Sequence, residues 1–271
     1  MTTIALPTTL QRTDQPTGSR VGWAIQDMAT ITWRNLRALT RTPEAVFFST
    51  LQPIMFTLLF VYVFGGAIHT GIAYVDYLMP GIYVQTVAFG AVSTAVGLSE
   101  DLNKGLIERF RALPMARSAV LAGRTLGDAV RNTFVVILMT IVGMLVGFRF
   151  HTNVVASVAA LLLVVAFGFA FSWISATIGL TVHDVESAQT AGFLWVFPLV
   201  FASSVFVPIH TLPGWLQAFA RVNPITNVAN AMRALILGGP TTKYVLYALA
   251  WIVGILAVFM PFATRRYRRV V

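Results

Sequence analysis

Long stretches of this chain carry no charged side chain, and that limits the solvent it can fold in. Ala45 to Val75 runs 31 residues without Lys, Arg, Asp or Glu, Tyr77 to Ser99 runs 23, Val154 to Val182 runs 29, and Ser187 to Ala220 runs 34. A helix needs roughly 20 mostly apolar residues to cross a bilayer's hydrocarbon core. Charged residues are 11% of the whole chain and mean hydropathy is +0.76, against roughly 25% charged in an ordinary soluble domain. So few charges cannot dress a water-exposed surface. The fold class this predicts is all-α and integral to the membrane.

Punctuation between the runs sets the organisation. Residues 1–20 are polar, with Pro7 and Pro16, and read as a disordered cytosolic tail. Residues 21–42 place Ile25, Met28, Leu36 and Leu39 near one helical face and Arg34, Arg37 and Arg41 away from it, the pattern of an interfacial helix anchored by Trp23 and Trp33. Six spans are expected at about 45–65, 77–99, 121–148, 154–182, 188–206 and 244–262. Residues 208–237 are mixed: Arg221 and Arg233 stand among Pro213, Gly214 and Pro224. They read as short helices dipping back into the membrane, where irregular backbone must be shielded by protein or water.

Of the nineteen Lys and Arg residues, fifteen fall in residues 1–44, 100–131 and the C-terminal tail, and four (Arg149, Arg221, Arg233 and Lys243) fall in the alternate segments. By the positive-inside bias both termini are cytosolic. A plasma-membrane protein, bacterial in character, is expected. The net charge of +9 is spread over short segments between apolar runs, a topology signal rather than a nucleic-acid surface.

Catalytic signatures do not appear. Neither Lys104 nor Lys243 stands in a phosphate-binding loop, His69, His151, His183 and His210 lie in separate boundary segments, and Cys is absent, so no metal or nucleophile constellation is expected. Asp128 and Arg131 stand three apart in the first turns of the third span and read as an ion pair near the inner headgroups.

The charged inner segment is patterned. Leu102, Leu106, Phe110 and Leu113 recur at spacings of four, four and three, with Lys104, Glu108 and Arg111 opposite and Pro114 closing the run. That makes an amphipathic helix able to pack with one face and offer charge with the other.

This segment, LNKGLIERFRALPMARSAVLAGRTLGDAVR (102–131), resembles the coupling-helix region of ABC-2 type exporter permeases in its Gly105, Glu108, Arg109, Leu113, Pro114, Arg117 and Ser118. A second stretch, LPGWLQAFARVNPITNVANAMRAL (212–235), is similar to the same family's pattern after the fifth span, in Leu212, Pro213, Trp215, Asn223, Pro224 and Arg233. The overall likeness is to the daunorubicin-resistance type of actinobacterial permease.

The resemblance implies a transport subunit, not an enzyme, with ATP and Mg bound by a separate cytosolic ATPase present in two copies. It implies a second permease copy or a paralogue. It implies that Asp101, Lys104, Gly105, Leu106, Glu108, Arg109, Phe110, Arg111, Leu113 and Pro114 couple to the ATPase. A hydrophobic or amphipathic cargo would meet spans one, two and five, at Phe56, Phe60, Tyr83, Phe89, Phe193, Phe197 and Phe201. A lipid-linked glycan exporter of the same family, an ion-coupled carrier and a non-transporting scaffold are the alternative readings.

Overall fold

A computed structural model of the chain describes residues 43–104, 117–182 and 184–270. The interfacial helix expected at 21–42 and most of the coupling segment, 105–116, lie outside the described residues. Among those described there is no strand.

The helices are α1 (Pro43–Leu58), which widens into π-helical turns over Leu59–Phe64, α2 (Tyr74–Gly90), α3 (Val92–Asn103), α4 (Arg117–Val146), α5 (Val154–Gly179), α6 (Val185–Phe201), α7 (Gly214–Val222), α8 (Pro224–Leu237) and α9 (Thr241–Val270). Among the described residues four helical stretches are long and apolar enough to cross a membrane: Tyr74–Asn103, Leu121–Val146, Val154–Gly179 and Thr241–Tyr267. The apolar helices Thr50–Phe64 and Val185–Phe201 are shorter.

The helix starts are chemically marked. Asn153 caps α5 by accepting from the Ala156 N–H at 2.8 Å, and Asp184 caps α6 by accepting from Ser187 N–H at 2.7 Å. Each satisfies an orphan donor of a first turn. Asn223 does the same for α8 at Ile225 N, ahead of Pro224 at the first helical position, where a missing N–H costs nothing.

α5 is the centre of the bundle. It packs on α2, α3, α4, α8 and α9 and buries Phe167, Phe171, Trp173 and Ala176. Its C-terminal half lies backbone-close to α3: a Cβ placed on Gly179 would stand 2.5 Å from the Ala95 carbonyl oxygen and 2.9 Å from Ala95 Cα. Small residues permit this approach, and in lipid such van der Waals contact replaces the hydrophobic effect as the force between helices. α8 is not peripheral. It is wedged between α2, α5 and α9 and buries Ile225, Val228, Ala229, Met232 and Ile236.

The two ends of the bundle differ. At one, Asp76 of α2 accepts from Arg149 N–H at 3.2 Å and lies 3.7 Å from His151, while His151 N–H donates to Ile236 O at 3.0 Å and Thr152 to Leu235 O. The α4–α5 loop thereby closes the C-terminus of α8. At the other, Leu98, Leu121, Trp173, Leu180 and Tyr267 form a separate apolar cluster, where the ends of α3, α5 and α9 meet the start of α4.

Gly179→Leu should be strongly disruptive, because the obstruction is backbone and cannot rotate away; overpacking of this kind costs about 3 kcal/mol. The purified variant is expected to lose several degrees of thermal stability in detergent, measured by the loss of a monodisperse size-exclusion peak on heating.

Candidate functional site: a polar zipper, a cavity and a phenylalanine ladder

Three features of the bundle adjoin one another. The first joins α3 to α4. Arg124 pairs with Asp101 at 2.8 Å and donates to the Gly97 carbonyl at 3.1 Å. One turn along α4, Asp128 accepts from the Thr94 hydroxyl. One turn further, Arg131 lies 3.5 Å from Asp128 and donates to the Gly90 carbonyl at 2.7 Å. Residues 124, 128 and 131 share one helical face, and their partners run in antiparallel order along α3 to Gly90 at the end of α2.

The two arginines stand seven residues apart, and so do the two glycines. Gly97 leaves bare backbone for a guanidinium to approach, since a Cβ there would fall on the Arg124 guanidinium itself, and at Gly90 a Cβ would stand 2.7 Å from Asn132 Oδ1. Gly90 ends α2 where the second long apolar stretch breaks at Ala91, so Arg131 satisfies a carbonyl freed by that break. The Asp128–Arg131 pair foreseen in the sequence is therefore present, with Asp128 buried and Arg131 partly buried. α4 begins at Arg117, which puts Asp128 about 16 Å along the helix.

Arg131 also lines the second feature, a cavity of about 120 Å³ bounded by Gln52, Gln85, Thr86, Ser93, Asn132, Phe89 and Phe193. Gln85 Oε1, Thr86 Oγ1 and Asn132 Nδ2 are buried without a hydrogen-bond partner. Buried polar atoms are normally paired. A mostly apolar bundle holding three unsatisfied ones around a space of a few water volumes is a binding-site candidate.

Phe193 is shared with the third feature, a groove of about 610 Å³ along α6 lined by Glu186, Gln189, Thr190, Leu194, Phe197 and Pro198. Aromatic rings continue from it. Phe197 stacks on Phe201 at 4.3 Å between centroids, Phe201 lies 5.3 Å from Phe206, Phe206 stacks on Phe60 at 4.3 Å, and Phe56 lies 6.1 Å from Phe60. Phe89 meets Phe193 at 5.8 Å. Six of the seven aromatic residues singled out in the sequence thus border one face built by α1, α2 and α6. Tyr83 does not join them. It is fully buried against Phe148 on the interior side of α2.

The residues of the second motif meet at a different hub. α6 ends at Phe201, and the non-helical backbone of Ala202 to Val207 is mostly buried. Arg233 reaches across to it. Its guanidinium donates to Ser204 O at 2.6 Å, Val205 O at 3.2 Å, Ser204 Oγ at 3.1 Å, Asn230 Oδ1 at 3.0 Å and Tyr77 O at 2.9 Å, and lies 3.8 Å from the centre of the Tyr77 ring. Asn223 Nδ2 donates to Leu199 O and Ala202 O, and Tyr74 and Tyr77 donate to Phe206 O and Ser204 O. Leu212, Pro213 and Trp215 stand apart from this hub, at the more exposed entry to α7. Of the coupling residues, Asp101 is held by Arg124, and Lys104 pairs with Glu100 at 3.1 Å; Gly105 to Pro114 lie outside the described residues. No cluster of metal-binding side chains occurs among the described residues.

A polytopic helical bundle with buried arginine-held breaks and an aromatic face has the form of a membrane transport component. The chain belongs to the ABC-2 type transporter family, whose model matches residues 26–237. It is 36% identical over 260 residues, 95% of this chain and 92% of the relative, to the daunorubicin resistance ABC transporter permease protein DrrB1 of Streptomyces coeruleorubidus. It is 29% identical over 249 residues, 86% of each chain, to the probable doxorubicin resistance ABC transporter permease protein DrrC of Mycobacterium tuberculosis. It is 26% identical over 205 residues, 71% of this chain and 77% of the relative, to the inner membrane transport permease YadH of Escherichia coli. It is a membrane permease, a transport component rather than an enzyme.

Arg233→Met should release the backbone of residues 204–205: the buried Val205 carbonyl loses its Arg233 donor, at about 1–3 kcal/mol, and the Ser204 carbonyl keeps only the Tyr77 hydroxyl. Since the chain has no cysteine, a single thiol at Val205, buried in the parent, reports this directly. Maleimide labelling is expected to be slow in V205C and at least tenfold faster in the V205C, Arg233→Met double variant.

Proposed function

We propose that this chain is the permease subunit of an ATP-driven exporter that moves a hydrophobic or amphipathic drug, antibiotic or lipid out of the cytoplasm or inner leaflet. The observation that carries the reading is the continuity of the three features. The polar zipper starts at the helix ends flanking residues 104–116 and finishes at Arg131, in the wall of the cavity from which the phenylalanine ladder leads away. Gly90 and Asn103 are thirteen residues apart, about 20 Å of helix. The names of the relatives, which concern daunorubicin and doxorubicin resistance, support a polycyclic cargo. The rings of Phe89, Phe193, Phe197 and Phe201 suit its planar faces. Gln85, Thr86 and Asn132 suit its polar substituents.

The architecture that goes with this function has an interfacial helix at 21–42, six spans, a coupling helix from about Asp101 to Pro114 and re-entrant helices α7 and α8. Both termini are cytosolic, because the end carrying Lys104, Arg117, Arg265 and Arg266 is the more basic. A cytosolic ATPase in two copies binds ATP and Mg, and a second permease copy or a paralogue faces the aromatic side. On this reading ATPase closure pushes the coupling helix, the zipper moves α3 and α4 as one body, and Arg131 shifts in the cavity wall. The directional charge of Glu108, Arg109 and Arg111 and the apolar Leu106, Phe110 and Leu113 dock into the ATPase.

Reconstitution with the ATPase subunit tests this. Glu108→Lys and Phe110→Ala should abolish cargo-stimulated ATP hydrolysis or pull-down of the ATPase, since losing a buried interfacial charge partner costs about 2–5 kcal/mol, while insertion stays normal. Full binding and full coupled transport in both variants would remove the assignment. The double variant Phe197→Ala, Phe201→Ala should raise the half-saturating cargo concentration at least tenfold and leave basal ATP hydrolysis unchanged. Reporter fusions after Val271 and at Asn153 should report inside and outside respectively.

A further inference from the structure

A second cleft lies away from the zipper, the cavity and the ladder. It is formed where α7 and α8 meet the start of α9, has a volume of about 650 Å³, and is lined by Arg221, Asn227, Asn230, Lys243, Tyr244, Tyr247 and Trp251 among others. No carboxylate lines it. Within the described residues the Arg221 guanidinium donates to Gln217 Oε1 alone, at 3.4 Å, and no hydrogen bond or ion pair engages the Lys243 side chain. The two asparagines are already committed to the protein: Asn227 Nδ2 donates to the carbonyls of Arg221, Val222 and Asn223, and Asn230 Oδ1 accepts from Arg233. The cleft therefore presents two uncompensated cations at its rim.

The depth of this rim is fixed by a separate observation. Along α7, Trp215, Phe219 and Val222 recur at four and three residues and are 77%, 45% and 65% exposed. An unpartnered apolar stripe led by Trp, on a helix whose only buried residue is Ala220, lies in the interface between headgroups and acyl chains. Arg221 flanks that stripe and so stands at headgroup level. From Lys243, α9 carries Tyr244, Tyr247 and Trp251 inward over eight residues, about 12 Å, giving the cationic rim an aromatic wall that descends toward the hydrocarbon.

We propose that this cleft binds an anionic phospholipid, its phosphate held between Arg221 and Lys243 and an acyl chain lying along Tyr244, Tyr247 and Trp251. A charged rim with an aromatic wall matches a molecule that is anionic at one end and apolar below it. Bound there, the lipid braces α7 and α8 against α9, and so braces the hub that Arg233 builds. Which leaflet supplies the lipid follows from the orientation proposed above; the binding itself does not depend on it.

The test titrates phosphatidylglycerol, phosphatidylcholine and inorganic phosphate into the purified full chain in detergent, with bound lipid counted by native mass spectrometry. Phosphatidylglycerol should bind. Arg221→Gln and Lys243→Gln should each weaken it about fivefold and the pair about 25-fold, the effect of one juxtamembrane cation each. Arg149→Gln, an exposed cation outside the cleft, should leave binding unchanged, and the charge-keeping Arg221→Lys should retain it even if a neutral variant fails to fold. Parent-like binding in the double Gln variant would overturn the proposal. Equal binding of phosphatidylcholine would show that the site does not read net charge and would also overturn it. Displacement of the lipid by millimolar inorganic phosphate would reassign the site to a soluble oxyanion.

Discussion

In a bilayer no water is present to complete a peptide group, so every break in a helix must be answered by the protein. Arg233 supplies that answer for the break that follows α6. Its fork of donors covers the carbonyls that α6 leaves behind after Phe201, and its flat face rests on Tyr77. The same backbone is met from α2 by the Tyr74 and Tyr77 hydroxyls, which donate to Phe206 O and Ser204 O, so α2, α8 and residues 204–206 are held together at one place. A lysine, with a compact ammonium instead of a fork, could not serve so many acceptors at once.

The same rule organises the zipper. The second long apolar stretch interrupts its hydrogen-bond ladder at Gly90–Ala91, and the freed carbonyl is met by Arg131. What would otherwise be an expense in lipid becomes a fixed attachment between two helices. The attachment carries charge, so it resists sliding by a residue: the Arg124–Asp101 and Asp128–Thr94 contacts would both be lost. Where apolar packing alone would tolerate rotation of α4 on α3, this register does not. The buried polar atoms of the cavity lie directly above it, which ties their spacing to the same helix pair.

Much of this was legible in the chain. Charge-free runs located the helices at Tyr74–Asn103 and Val154–Gly179, because the cost of a central charge is large, while the run from Ser187, expected to stay helical to about residue 206, holds a helix that stops at Phe201. Six of the seven aromatic residues picked from the sequence border one face, but Tyr83 shows the limit: hydropathy does not say which face of a fully apolar helix turns inward. Arg233 read as an obstacle to crossing, whereas its function in the fold is to bond backbone that has no side-chain signature. The zipper escaped for a related reason. Asp128 and Arg131 were visible as neighbours, but half of their partners are carbonyls exposed by glycines. The available signal was the matched seven-residue spacing of Gly90 with Gly97 and of Arg124 with Arg131.

The Gly97–Arg124 contact has a consequence for how such a chain can drift. With Arg124 paired to Asp101, a methyl group at position 97 would fall on its guanidinium, so any side chain there must turn the arginine out of its place. A short residue at 124 would instead remove the donor that reaches both Asp101 and the Gly97 carbonyl. The two positions are coupled: the effect of a change at one depends on the residue held at the other.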